Sequence, residues 1–293
     1  MHRSGFVNII GNPNVGKSTL MNALVGEKLS IITSKAQTTR HRIMGIVSGE
    51  DFQIVYSDTP GILKPSYKLQ ESMMKFVTGA LTDADVILYV TDTVEQSERS
   101  AEIVDSIRRS GIPTVVVINK IDLSTPEALE ALVDKWQAEI PGAQVVPTSA
   151  KENFNIEGLF RTILSLLPEG PAFYPKDTLT DKTLRFFASE IIREKILKFY
   201  DKEIPYCCEI EIESYKEEPA IDRIAATIYV ARDSQKGILI GHKGEKLKRV
   251  GQTAREDMEQ FLGKKVFLQL FVKVSDDWRN DERQLRRFGY EQE

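Results

Sequence analysis

The chain has 293 residues, 41% of them hydrophobic, with a formal net charge of −4. That length allows two domains with cores of their own, and the near-balanced charge excludes a protein that meets nucleic acid through global electrostatics alone. No apolar stretch reaches the roughly 18 residues of a membrane span, the first strand starts too early to leave room for a signal peptide, and the two adjacent cysteines, Cys207 and Cys208, fit a reduced cytosolic compartment.

The first predicted strand, 5–10, runs into Gly11-Asn12-Pro13-Asn14-Val15-Gly16-Lys17-Ser18-Thr19. A helix is expected from Ser18 to Val25, stopped by Gly26. G-x-x-x-x-G-K-[ST] between a strand and a helix is a phosphate loop. Gly11 and Gly16 let the backbone approach phosphate oxygens, and successive N–H groups with the helix N-terminus make an anion nest. Lys17 can reach the β- and γ-phosphates, and the Ser18 hydroxyl can ligate Mg²⁺.

Strands at 43–48 and 52–58 form an expected antiparallel pair, and the second ends in Asp58-Thr59-Pro60-Gly61. Asp58 can hold the water shell of a metal, and the Gly61 N–H can approach a γ-phosphate. The runs at 86–92 and 114–119 are apolar throughout, as expected of strands buried on both faces. The second leads to Asn119-Lys120-Ile121-Asp122, where the Asp122 carboxylate can accept from guanine N1–H and the 2-amino group. A strand at 144–148 leads to Ser149-Ala150-Lys151, which can lie over the base. Helices lie between most strands, for example Glu98 to Arg109 and Glu127 to Glu139. Alternating strands and helices predict a doubly wound α/β sheet with every motif at a strand C-terminal end.

These residues resemble a small GTPase of the translation-factor-related class. The segment Ala36-Gln37-Thr38-Thr39-Arg40-His41-Arg42 is similar to the switch of the Era branch. The resemblance implies that Thr39 meets Mg²⁺ and the γ-phosphate, with Thr38 the alternative that spacing leaves open. It implies a catalytic set of Lys17, Thr39 and Gly61, with Mg²⁺ held by Ser18, Thr39 and, through water, Asp58. It also implies K⁺ at Asn14, a residue that equally suits a turn dihedral. Ras-like enzymes have a water-orienting Gln directly after D-x-x-G. Ile62 stands there instead, and Pro13 would crowd an arginine finger, so slow intrinsic turnover is expected.

The first domain is placed at 1–168, and a connector rich in proline at 169–180. A second domain, 181–293, opens with a helix carrying Leu184, Phe187, Ile191, Ile192, Ile196 and Phe199 at helical spacing, read as core. Strands are expected at 207–215 and 221–232, then two helices around Gly241-His242-Lys243-Gly244, then a strand at 266–274. Cys207 and Cys208, placed on a strand, would point to opposite faces and form no disulfide. The order α-β-β-α-α-β with a G-x-x-G turn resembles a type II KH domain, an α+β module whose loop clamps about four unpaired nucleotides. The candidate RNA residues are Lys236, Gly237, Ile240, Gly241, His242, Lys243, Gly244 and Lys246. Leu239 and Ile240 serve either an apolar base groove or the core. Residues 236–265 hold eight Lys or Arg against four acids, a local net of +4.

The combination predicts a GTP hydrolase joined to a single-stranded RNA clamp. The resemblance implies guanine nucleotides, the 3′ end of 16S ribosomal RNA and the small ribosomal subunit as partners. It further implies a cytoplasmic monomer with at most peripheral contact with the cell membrane. A regulatory protein whose GTP state gates RNA affinity uses the same residues. An ATP-driven RNA enzyme is disfavoured by Asn119-Lys120-Ile121-Asp122.

Overall fold

The N-terminal pattern of strands mostly alternating with helices becomes a six-stranded sheet in the computed structural model, which describes residues 2–94 and 101–290. Its strands are β1 (Arg3–Gly11), β2 (Ile43–Ser48), β3 (Phe52–Asp58), β4 (Val86–Asp92), β5 (Thr114–Asn119) and β6 (Gln144–Pro147). They lie in the order β2-β3-β1-β4-β5-β6; β2 is antiparallel to β3 and all other pairs are parallel. The central strands β4 and β5 are buried along their whole length, which is why they read as unbroken apolar runs.

Helices α1 (Lys17–Val25), α2 (Lys68–Thr82), α3 (Ala101–Ser110), α4 (Pro126–Glu139) and α5 (Ile156–Leu166) cover the two faces. One apolar cluster joins Ile10, Ile87, Tyr89, Val116 and Ile118 of the strands to Val77, Val104, Ile107 and Trp136 of α2, α3 and α4. On the other side α1 packs on β1, β2, β3 and α5. The expected stop of α1 is present, the Gly26 N–H returning to Asn22 O at 2.9 Å with φ 82°, and α4 starts one residue earlier than expected because Thr125 caps it ahead of Pro126. The start expected for α3, Glu98 to Ser100, lies outside the described residues.

Contacts divide the chain into two units, Met1–Pro65 with Met73–Asp181, and Ser66–Ser72 with Lys182–Glu293. The proline-rich segment expected as a connector clusters with the first unit and is tied to it. Pro168 O accepts from Ser4 N, Leu179 O accepts from Ile46 N at 2.8 Å, and Thr180 bridges to Gly45. The buried Gln53 amide supplies what prolines cannot: its Oε1 accepts from Phe173 N (2.7 Å) and Tyr174 N (2.9 Å), and its Nε2 donates to Tyr174 O (2.8 Å).

The second unit is built from α6 (Leu184–Phe199), α7 (Ile204–Cys207), β7 (Glu209–Lys216), β8 (Ile221–Val230), α8 (Asp233–Ile240), α9 (Glu245–Leu262), β9 (Lys265–Val274) and α10 (Glu282–Arg287). Its sheet has the order β7-β8-β9, antiparallel then parallel, with a bulge between Ile212 and Ser214. The core joins Ile192 and Ile196 of α6, Ile224 and Ile228 of β8, Leu239 of α8, and Val250, Ala254 and Met258 of α9.

Three expectations need correction here. Helix α7 takes residues 204–207, so Cys207 is helical and both cysteines fall in one core instead of on opposite faces. Neither is in a disulfide, and each bonds to Ile204 O. Strand β8 ends at Val230, because Ala231 and Arg232 already turn into α8. Helix α6 is not simply amphipathic: Leu184 of the apolar stripe is exposed, whereas Glu190, Arg193, Glu194 and Lys195 are buried. Burial is tolerated because the charges pair, Arg193 bidentately with Glu190 at 2.6 Å and Lys195 with Glu194 and Asp257.

Candidate functional site

Gly11 leaves β1 so close to its neighbour that a Cβ there would lie 2.1 Å from Val90 O. Gly16 turns into α1 at φ 95°, and Asn14 sits at φ 65°. The loop is drawn around its own lysine: buried Lys17 donates from Nζ to Gly11 O (3.0 Å) and Asn12 O (2.8 Å). Val15 is buried, Pro13 half-buried and Asn14 exposed. Asn12 Oδ1 is buried without a hydrogen-bond partner. Thr19 lies on the first turn of α1, half-buried.

Three oxygen-bearing side chains converge beside this loop. Ser18 Oγ donates to Asp58 Oδ2 at 2.7 Å and lies 2.9 Å from Thr39 Oγ1, which is 3.4 Å from the same carboxylate. Thr38 faces elsewhere, bonded to Thr33 Oγ1 and Lys35 O at 2.6 Å each. Asp58 is fully buried, and Oδ1 has no partner. Burial pushes this carboxyl above its ordinary range, against the lowering effect of the Ser18 bond, the Lys17 charge and the Ser30 and Thr39 bonds. An under-partnered buried carboxylate beside two hydroxyls is a hard, all-oxygen set that fits Mg²⁺.

The next turn closes on the loop from above. Thr59 Oγ1 donates to Ile9 O at 2.7 Å, and Pro60 is buried. A Cβ on Gly61 would lie 2.8 Å from Pro13 Cα, so only glycine lets the two segments approach this closely. Ile62 donates its N–H to Gly11 O at 3.2 Å, and its side chain is buried in the core, away from any water-orienting role.

The base-side motifs are welded to the phosphate loop. Asn119 Nδ2 donates to Val15 O (2.9 Å), and its Oδ1 accepts from Ala150 N (3.0 Å). Lys120, at φ 59°, donates to Asn14 O (2.6 Å) and Asp92 Oδ2 (2.5 Å). Exposed Asp122 has Oδ1 held by Ser149 Oγ at 2.6 Å, which aims the carboxylate. Ser149 and Ala150 are buried, and Lys151 is exposed beside Glu152. Sequence reasoning missed Asp92; its position at the C-terminal end of β4, level with the other motifs, was the available signal.

In the second unit, α8 ends at Gly241 with φ 74° and ψ −179°, a combination open only to glycine. His242, Lys243 and Gly244 form one tight turn in which Lys243 (φ 48°) and Gly244 (φ 80°) are left-handed. The Gly241 N–H returns to Gly237 O at 3.0 Å, and Gly237 itself is exposed. The Lys246 stem lies 2.7 Å from where a Gly241 Cβ would be, and its ammonium sits 5.8 Å from the Tyr200 ring. Arg249 stacks on Phe199 at 4.3 Å, a pair the sequence did not announce. Tyr200 OH donates to Leu239 O at 2.6 Å, and burial pushes this phenol up to about 12. The choice left open for the apolar pair divides: Leu239 is wholly buried in the core, and Ile240 is half-buried beside the turn with Lys236. His242, Lys243 and Lys246 are exposed. Among the described residues no group of His, Cys, Asp and Glu has metal-binding geometry.

Residues 6–120 match the family model of the 50S ribosome-binding GTPases, and residues 203–279 that of the KH domain. The chain is 45% identical to GTPase Era of Staphylococcus haemolyticus, covering 99% of this chain and 97% of that one. It is also 45% identical to GTPase Era of Alkaliphilus metalliredigens, covering 99% of each. A crystal structure of Era in complex with MgGDPNP and nucleotides 1506-1542 of 16S ribosomal RNA is similar with a TM-score of 0.96, at 40% identity over the whole of both chains. A point variant of Aquifex aeolicus Era bound to GDP·AlF4⁻ is similar with a TM-score of 0.94, at 40% identity over 99% of this chain and 100% of that one. Two domain models in the right order and full-length identity at this level lead to one conclusion: the chain belongs to the Era family of GTPases.

Proposed function

We propose that the first unit is a GTP-driven switch and the second a clamp for the 3′ end of 16S ribosomal RNA, acting in small-subunit maturation. The observation that carries this reading is the convergence of Lys17, Ser18, Thr39 and Asp58 on one phosphate loop, in a chain whose G-x-x-G turn has glycine-only geometry. The Era complex with MgGDPNP and 16S ribosomal RNA supports the choice of ligands. Division into a nucleotide domain (1–168), a connector (169–180) and an RNA domain (181–293) belongs to the same reading.

In this reading the phosphate loop, residues 11–19, holds the phosphates through its backbone N–H groups, of which Pro13 supplies none, and the Lys17 ammonium, and Asp122 selects guanine while Asn119, Lys120, Ser149, Ala150 and Lys151 position it. Mg²⁺ supplies Lewis-acid charge neutralisation; Ser18 and Thr39 would hold it directly and Asp58 through water. The loop of residues 58–61 brings the Gly61 N–H to the γ-phosphate. With Ile62 buried, no side chain after Gly61 orients water, so intrinsic turnover is slow. Asn14, exposed at the loop crest, is assigned to a K⁺ that offsets phosphate charge. Lys236, Gly237, Ile240, Gly241, His242, Lys243, Gly244 and Lys246 receive the RNA backbone. Family membership supports a cytoplasmic monomer with at most peripheral membrane contact; no helix among the described residues is long and apolar enough to cross a membrane.

Titration of the full chain with a labelled 16S 3′-end oligonucleotide and a scrambled one, each with GDP or a GTP analogue, tests the reading. Tighter binding of the native oligonucleotide in the analogue state is expected. Equal binding of both oligonucleotides in both states would overturn the RNA assignment.

A further inference from the structure

Arg42 places a buried guanidinium where three segments of the first unit meet. Its Nε donates to Ser57 Oγ (2.6 Å), Nη1 to Asp83 Oδ2 (2.5 Å), and Nη2 to Asp83 Oδ1 (3.0 Å) and Asn8 Oδ1 (3.2 Å). Asn8 in turn donates to Ala80 O (2.6 Å) and Asp83 Oδ1 (2.7 Å). Only 9% of the Arg42 side chain is exposed. Ser57 directly precedes Asp58, Asp83 directly follows α2, and Arg42 stands three residues after Thr39.

We infer that Arg42 and Asp83 form a positioning clamp that fixes the exit of the 36–42 segment, so that Thr39 reaches Ser18 and Asp58, and thereby weights binding toward the triphosphate over the diphosphate. The inference rests on the proposed role of Thr39. Three residues span at most about 11 Å, so a fixed Arg42 leaves Thr39 a small volume to search. A loose exit would add the entropy of ordering this segment to the cost of every triphosphate complex. The site needs arginine, because only a planar fork donates at once to a carboxylate, a hydroxyl and an amide; lysine offers a point charge. Four acceptors around one buried cation exceed what neutralising it requires, and Ser57, one of them, directly precedes Asp58 of the Ser18–Thr39 cluster.

The test compares equilibrium affinities for fluorescent GDP and a fluorescent non-hydrolysable GTP analogue, in Mg²⁺ buffer, for the full chain and for Arg42→Lys, Asp83→Asn and Thr39→Ala, with thermal unfolding of each. Asp83 is half-exposed, so Asp83→Asn spares the fold if Arg42→Lys does not. The clamp variants are expected to weaken the analogue roughly tenfold, within the usual range of coupling free energies, and to leave GDP affinity unchanged. An unchanged analogue-to-GDP ratio in both clamp variants, with the ratio lowered in Thr39→Ala, would overturn the clamp and leave the role of Thr39 standing. An unchanged ratio in Thr39→Ala would overturn both. Parallel loss of GDP and analogue affinity with a lowered melting temperature would make the network structural only.

Discussion

The Asn119 side chain occupies the space that a side chain on Gly16 would need: a Cβ at Gly16 would lie 2.2 Å from Asn119 Nδ2. From that position Asn119 bonds Val15 O on one side and Ala150 N on the other. Phosphate loop, base-reading motif and the 149–151 loop are therefore one rigid piece, so the phosphate and base ends of a nucleotide meet a single preformed frame.

Lys17→Ala removes the cation of that frame and frees the carbonyls of Gly11 and Asn12. A charge-assisted hydrogen bond from Lys17 to a phosphate oxygen contributes about 1.5–3 kcal/mol, so its loss predicts about ten- to a hundredfold weaker GDP binding. Calorimetric titration reads it directly, and parental affinity in the variant would refute the phosphate role.

Asp122→Asn is expected to exchange guanosine for xanthosine nucleotides. Ser149 still orients the side chain, but an amide now offers a donor where the carboxylate had only acceptors, which suits the xanthine 2-oxo group. Competition between GTP and XTP on the variant checks this; continued preference for GTP would mean that Asp122 does not read the base.

Gly241→Asp should weaken single-stranded RNA binding at least tenfold while GDP affinity holds. The substitution forces an L-residue into φ 74°, ψ −179°, drives a Cβ into the Lys246 stem, and adds a negative charge at the turn proposed to receive RNA phosphate. Paired titrations of one preparation, with labelled RNA and with GDP, decide it. Undiminished RNA affinity would reduce the turn to a helix connector.

Acid should loosen the second unit through Asp222. Its buried carboxylate is bonded to Lys264 at 2.5 Å and accepts from Tyr215 OH at 3.1 Å; the Lys264 bond chiefly holds its carboxyl below the ordinary range. A depressed folded-state pKa contributes stability that is complete above the unfolded value of about 3.9 and is lost as pH falls below it. Denaturation of parent and Asp222→Asn between about pH 3 and 6 should show a gap that narrows at the acid end. Trp136→Phe as background leaves Trp278, buried in the second unit, as the sole reporter among the chain's two tryptophans. A gap independent of pH would show that the Asp222 charge is not what stabilises the unit.

What the sequence determined by itself is local. The spacing of glycines and lysine in residues 11–18, and the apolar runs of β4 and β5, mark a phosphate-loop turn and buried strands from residue type and order alone, although the close contacts that require Gly11, Gly16 and Gly61 come from the distant Val90, Asn119 and Pro13. The phosphate loop, the guanine-reading motif and the G-x-x-G turn could therefore be read before any fold was known. Only the tertiary structure decided what depends on distant partners. It selected Thr39 over Thr38 for the Ser18–Asp58 cluster, because Thr38 is held by Thr33 and Lys35. It turned Cys207 into a helix end, buried four charges on α6 by pairing them, and fastened the proline-rich segment through Gln53. It also gathered Arg42, Asn8, Ser57 and Asp83 from four separate stretches. Spacing along the chain encodes dihedral preference and face, but the hydrogen-bond partner of a long polar side chain is chosen by topology, which brings together groups that no local pattern relates.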